Sequence, residues 1–161
     1  MSDPNLISTT VVYSEEFRPW FVPMVFFLPI FYTYGIIIQK DNKADPKSTT
    51  ITFGYGYSSP SHEGVASHTT LLENIDPSSV ITGEASGKDN LVTFGGWGIR
   101  LGLNGTWAYN ASFSGPYIEF IEKNGTKSTK YRIASKDAEK VASLLRGSDP
   151  GSNSKETVSE K

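Results

Sequence analysis

This chain has no cysteine. That removes disulfides, thiolate nucleophiles and Cys-based zinc sites together, and it fits a reducing compartment. Histidine is almost as scarce, with only His62 and His68. Glu63 stands beside the first of them, but the spacing suits neither a helical histidine pair nor a standard zinc pattern, so a solvated Ser-rich loop is the expected setting. Charge imbalance is also missing. A formal net charge of −2 gives no global drive toward nucleic acid or an anionic membrane. Glycines crowd Phe94 to Gly102, yet the spacing is not Gly-x-Gly-x-x-Gly and no Gly-Lys-Ser/Thr follows, which argues against a phosphate-binding loop. No serine sits in a nucleophile elbow or triad context. No catalytic residue, metal or cofactor is therefore expected.

What the chain does have is glycine, aromatics and alternation. Its length suits one domain with a real core. Fifteen glycines and 12% aromatic residues suit short strands and tight turns better than a helix bundle. Ile51, Phe53, Tyr55 and Tyr57 alternate with Thr52, Gly54 and Gly56, which predicts a strand. Trp97, Ile99, Leu101 and Leu103 alternate in the same way with Gly98, Arg100, Gly102 and Asn104. Thr10 to Tyr13, Val80 to Ala85, Trp107 to Tyr109, Tyr117 to Glu122 and Thr129 to Ala134 read as further strands. Asn104-Gly105 and Asn124-Gly125 are hairpin signals, because both residue types tolerate positive φ. Gly87 to Asn90 reads as a turn. One helix is predicted at Lys136 to Arg146, capped by Ser135, with Ala138, Val141, Ala142 and Leu145 on its buried face.

The run Phe94-Gly-Gly-Trp-Gly-Ile-Arg100, then Tyr117-Ile-Glu-Phe120, then Tyr131-Arg-Ile-Ala-Ser-Lys-Asp-Ala-Glu-Lys-Val141, resembles bacterial PH-like (pleckstrin-homology-like) domains of small membrane proteins. In those domains a Gly-Trp-Gly-Ile-Arg-like strand precedes two strands and a closing helix. Ala138 stands where that family usually has proline. The likeness covers Leu72 to Arg146 well and the N-terminal third loosely. It implies a mainly β fold: a partly open antiparallel β-barrel or sandwich of roughly seven strands, capped by the C-terminal helix, in a membrane setting. It implies no reaction.

Trp20 to Ile38, WFVPMVFFLPIFYTYGIII, carries no charge. As a continuous helix it would extend ~28 Å, against a hydrocarbon core of roughly 30 Å. Pro23 and Pro29 argue against a straight helix, and a hairpin re-entering near Pro29 is the alternative form. Trp20, Tyr32 and Tyr34 suit interfacial positions. The competing reading is a buried strand pair. Lys40, Lys43 and Lys47 flank the segment and favour a cytoplasmic C-terminal domain. The expected organisation is an N-terminal segment with a short strand at 1–19, an apolar membrane segment at 20–38, a PH-like β-domain at 47–146 and a disordered tail at 147–161. Residues Met1 to Thr10 do not read as a signal peptide.

Candidate polar or binding residues are Arg100, the charge on the glycine face of its strand, and Lys127, Lys130 and Arg132 within a local basic cluster. A lysine held near anionic headgroups contributes about 1 kcal/mol. The plainer reading is a solvated hairpin balanced by Glu119, Glu122 and Asp137. No compact basic motif occupies the first hairpin, where phosphoinositide-binding PH domains carry theirs. Trp97, Trp107, Tyr117 and Phe120 are expected in the core. Asn104, Asn110 and Asn124 match the glycosylation sequon. The first functional expectation is a membrane-anchored PH-like binding or scaffolding domain without chemistry, meeting the bilayer through Trp20 to Ile38 and an unknown protein partner, with no nucleic acid. The second is a soluble β-barrel enclosing a small hydrophobic ligand. The third is an enzyme whose site is assembled from dispersed residues.

Overall fold

Alternation builds the first sheet. The computed structural model describes residues 9–17, 33–41, 49–55, 66–94, 98–102, 104–112 and 114–147. Strands β1 (Thr9–Phe17), β2 (Tyr34–Asp41), β3 (Thr49–Tyr55) and β4 (Ala66–Leu71) form an antiparallel meander in that order. Tyr34 pairs with Tyr55, Ile36 with Phe53 and Ile38 with Ile51, so one face of β2 and β3 is a continuous apolar and aromatic surface. All six are buried. Ile37, on the other face of β2, is only 1% exposed, so β2 is central and covered on both sides. At Gly54, with φ +143°, a side chain would bring its Cβ within 2.4 Å of the Ala66 carbonyl oxygen. The approach of β3 to β4 therefore requires glycine there.

The second sheet contains β5 (Ile81–Ala85), β6 (Gly98–Leu101), β7 (Trp107–Asn110), β8 (Gly115–Asn124) and β9 (Lys127–Ala134), in the order β5-β8-β9-β7-β6. All pairs are antiparallel except β7 with β9. The β8–β9 hairpin turns at Gly125 and Thr126, between the paired Asn124 and Lys127. Gly125 has φ +60° and, among the described residues, no non-glycine residue has positive φ. This is the II′ pattern, with glycine first, so Asn124 ends the strand and does not enter the turn.

The residues predicted as a turn at Gly87 to Asn90 begin a helix, α1 (Gly87–Phe94). Topology explains the difference. β5 and β6 lie on opposite edges of the sheet, so the connection must cross about 19 Å at roughly 4.8 Å per strand. A tight turn cannot do this, whereas an eight-residue helix supplies about 12 Å of it.

The closing helix α2 runs Ala138–Leu145, two residues inside the predicted start. Asp137 is its cap, accepting from the Lys140 amide at 3.3 Å, while Ser135 Oγ accepts from the Asp137 amide at 3.2 Å. Ala138, Val141, Ala142 and Leu145 are buried, as their spacing predicts. Arg146 closes the end by donating to the Val80 carbonyl at 2.8 Å.

The two sheets pack face to face. Phe53 meets Tyr109, Phe120 and Tyr131 edge-on, with ring centroids 5.0, 5.8 and 5.5 Å away. Such edge-to-face contacts add to the burial energy of each ring. Tyr34 and Tyr55 cross between the sheets, donating to the carbonyls of Ala134 and Asn110. The fold is thus mainly β, with two sheets and a short C-terminal helix. It agrees with the expected open, sandwich-like form and departs from the expected seven antiparallel strands in having nine strands among the described residues and one parallel pair. Closure fails because each sheet keeps two edge strands, β1 and β4 in one and β5 and β6 in the other.

Two expectations about the N-terminal third also change. The segment Trp20 to Ile38 is divided. Residues 20–32 lie outside the described residues, while Tyr34 to Ile38 belong to β2. Tyr34, Ile36 and Ile38 belong to the core between the sheets, and Ile37 is buried on the other face of β2. The β-domain does not begin at residue 47, because β1 and β2 are hydrogen-bonded into the sheet that contains β3. Among the described residues no helix is long and apolar enough to cross a membrane. The expected tail beyond Gly147 also lies outside the described residues, as do Trp97, His62 and Glu63.

Candidate functional site

The predicted basic residues lie on β9 and alternate with its core positions. Ile118 and Phe120 of β8 face inward with Tyr131 and Ile133 of β9, so Glu119, Lys130 and Arg132 lie on the outer face. Glu119 pairs in register with Arg132. Its Oε1 accepts from Arg132 Nε and Nη2, each at 2.7 Å, and its Oε2 lies 2.5 Å from Lys130 Nζ. The Arg132 guanidinium also stacks 3.9 Å above the Tyr117 ring. Burial pushes the Glu119 carboxyl up, but the hydrogen bonds and charges of Lys130 and Arg132 outweigh it and hold the group below its ordinary value. Lys130 and Arg132 are therefore committed to an internal carboxylate. Lys127 is exposed at the hairpin tip, and Lys123 is bound to Asp76 at 2.7 Å. That contact and the Ser78 hydroxyl hold the Asp76 carboxyl down at about 2. The basic cluster read along the sequence is thus divided among separate partners and does not form one patch.

The structure assembles a different polar group inside the sandwich. His68, on the inner face of β4, places Nε2 3.0 Å from Glu122 Oε2 on β8. The imidazole stacks on Tyr131 with centroids 4.8 Å apart and an interplanar angle of 22°. Its other neighbour is Phe53, at 5.4 Å. The Glu122 side chain is 9% exposed and that of His68 is 30% exposed. Burial and the neighbouring Glu122 charge push the Tyr131 hydroxyl well above its ordinary value. The sequence reading set His68 in a solvated Ser-rich loop, whereas it lies in β4 and its partner lies 54 positions away. One signal was available: Glu122 continues the period-two inner row of Ile118 and Phe120, so it places an acid on an apolar face.

Beyond this trio the inner face becomes open. Register aligns Phe120, Tyr131, Trp107 and Leu101 across β8, β9, β7 and β6. Their exposure rises along that row from 0% to 7%, 40% and 58%. Of the expected core aromatics, Phe120 is central, Trp107 forms the rim and Tyr117 lies on the outer face beneath Arg132. The β6 end of this row is therefore an open apolar lip, and His68 stacks on Tyr131 where the row becomes buried.

The opposite side is closed by α2 and β1. Glu15 Oε2 accepts from the Lys136 amide at 2.9 Å, while Oε1 is buried without a hydrogen-bond partner. Burial pushes this carboxyl up, against smaller opposing effects from Ser135, Lys136 and Tyr13. Lys136 Nζ reaches the Glu16 carbonyl at 2.5 Å and lies 4.7 Å from the Phe17 ring centroid. Near the start of α2 a hollow of about 320 Å³ is lined by Thr82, Glu84, Pro116, Lys136, Asp137 and Glu139. Its polar groups largely bond one another or the helix: Thr82 donates to Glu139 at 2.5 Å, and Asp137 caps α2.

No family model, curated protein or solved structure matches this chain. The reading of function therefore rests on the molecule's own chemistry.

Proposed function

We propose that this chain is a β-sandwich binding domain held at a membrane surface by the residues between β1 and β2. One observation carries the reading. Phe17 and Tyr34 are paired across β1 and β2, so the chain leaves and re-enters the sheet at neighbouring positions. The intervening sequence from Pro19 to Thr33 contains no charge and is rich in Phe and Pro. A segment whose two ends lie side by side on a folded domain enters and leaves a bilayer on one side. This favours a re-entrant or interfacial attachment over the single span expected from length. The open lip at Leu101 and Trp107 is the second apolar surface and suits contact with a partner.

Binding is a better description than turnover because His68 and Glu122, the titratable pair between the two sheets, are bonded to each other. The enclosed-ligand alternative loses support because Phe53 and its three aromatic neighbours occupy the space between the sheets. The PH-like likeness belongs to the same proposal, resting on the Phe94 to Arg100 run and the helix that closes the sandwich. Three strands, β7, β8 and β9, separate β6 from α2, where the likeness implied two.

The test is flotation of the full chain with vesicles of neutral phospholipid, beside a Phe26→Asp, Phe27→Asp variant of matched near-ultraviolet circular dichroism. Wild type is expected to float and the variant to remain at the bottom. A wild-type chain that stays soluble with vesicles would remove the membrane reading.

A further inference from the structure

We infer that Arg100 guards the β6 edge of the second sheet against pairing with a second copy of this chain. β6 is the terminal strand of the order β5-β8-β9-β7-β6. The Gly102 amide donates to the Thr106 carbonyl at 2.8 Å, which sets the phase of the β6–β7 ladder. Hydrogen-bonded pairs alternate in an antiparallel ladder. With Gly102–Thr106 bonded, Arg100–Ala108 and Gly98–Asn110 are the bonded pairs of the β6–β7 register. The amides and carbonyls of Ile99 and Leu101 consequently point away from β7, toward the open edge.

Arg100 lies along that edge. Its Nη1 donates to the outward Ile99 carbonyl at 3.1 Å. Its guanidinium also lies within 4 Å of where a Gly98 side chain would be. Behind it are the exposed Leu101 and Trp107. An apolar strand edge of this kind is a template for pairing, and a charge placed on it opposes that.

The occupant that Arg100 excludes is β6 of another copy. The antiparallel register that uses the outward groups of both strands sets Ile99 of one copy against Leu101 of the other. It also sets Arg100 directly opposite Arg100. Like charges facing each other across a strand pair are unfavourable, and the Ile99 carbonyl is already occupied. Removing one side chain lifts both obstacles.

The experiment is sedimentation equilibrium of the full chain over a wide concentration range. It compares wild type, Arg100→Thr, and Arg100→Thr combined with Leu101→Pro. Leu101 is exposed and its amide points away from β7, so proline there leaves the sheet intact while removing a donor from the edge. Wild type is expected as a single chain, Arg100→Thr as a dimer, and the double variant as a single chain again. The inference is overturned if Arg100→Thr keeps the wild-type mass, if wild type is already dimeric, or if the dimer survives the proline.

Discussion

His68 Nε2 lies 3.0 Å from Glu122 Oε2, and the two side chains belong to different sheets. The contact ties β4, an edge strand, to the end of β8. Leucine at 68 retains bulk over Tyr131 but leaves Glu122 buried without its partner. Such a loss costs on the order of 1–3 kcal/mol. His68→Leu is expected to destabilise the fold by that amount. In the cycle with Glu122→Gln, a coupling of about 1 kcal/mol is expected. Urea denaturation measures both, and a coupling near zero would show that the pair contributes nothing.

Glu119 governs stability in acid. Its folded-state value lies below the ordinary 4.5, so its contribution is present above that ordinary value and is lost as pH falls through the folded one. Asp76, held at about 2, acts in the same direction. Glu119→Gln is expected to cost about 2 kcal/mol at neutral pH, a moderated figure because Lys130 remains partly exposed. The variant should also lose less stability than wild type on acidification below about pH 4. Denaturation midpoints across that range measure the difference. Equal acid slopes would mean that Glu119 is not linked to folding.

Glu15 has the opposite sign. A carboxyl raised above its ordinary value of 4.5 by burial binds its proton more tightly in the folded chain. The fold is therefore penalised progressively as pH rises from that value through the raised one, and the penalty is constant above it. Glu15→Gln keeps an acceptor for the Lys136 amide and removes the charge. It is expected to be more stable than wild type at pH 7, by about 1 kcal/mol, with the advantage vanishing below the ordinary carboxylate value. Thermal melts at both pH values test this, and a variant less stable than wild type at pH 7 would reverse the assignment.

A chain beginning at residue 47 is expected not to fold. It would lack β1 and β2, and with them Tyr34, Ile36 and Ile38, each buried to within 1%. A buried large apolar side chain is worth about 1.5–3 kcal/mol, so the loss of these three with the pairing of β3 is comparable to an ordinary domain's whole margin. Dispersed amide resonances in such a fragment would show the domain to be independent after all.

Side-chain pattern alone set the mainly β class, the β8–β9 hairpin, the buried face of α2 and the inner rows through Phe53 and Phe120. Those are local properties: strand alternation, turn residues and helical spacing act over a few positions, and a linear reading detects them. The sequence also showed an uncharged run, but could not distinguish residues that pair within a sheet from residues that enter a bilayer, since both require apolar side chains. Only the register of β1 with β2 divides that run, placing Tyr34 to Ile38 in the core. The same limit applies to the polar groups. Lys130 and Arg132 admitted two readings, a basic patch or a solvated hairpin balanced by neighbouring acids, because closeness in sequence does not say which side chains meet. Strand order sets Glu119 opposite them and turns the patch into an internal ion cluster. His68 and Glu122 meet, and β6 becomes an edge guarded by Arg100, because of which strands are neighbours across and between the sheets. Those placements follow from contacts between residues far apart in the chain, and the packing of the two sheets decides them.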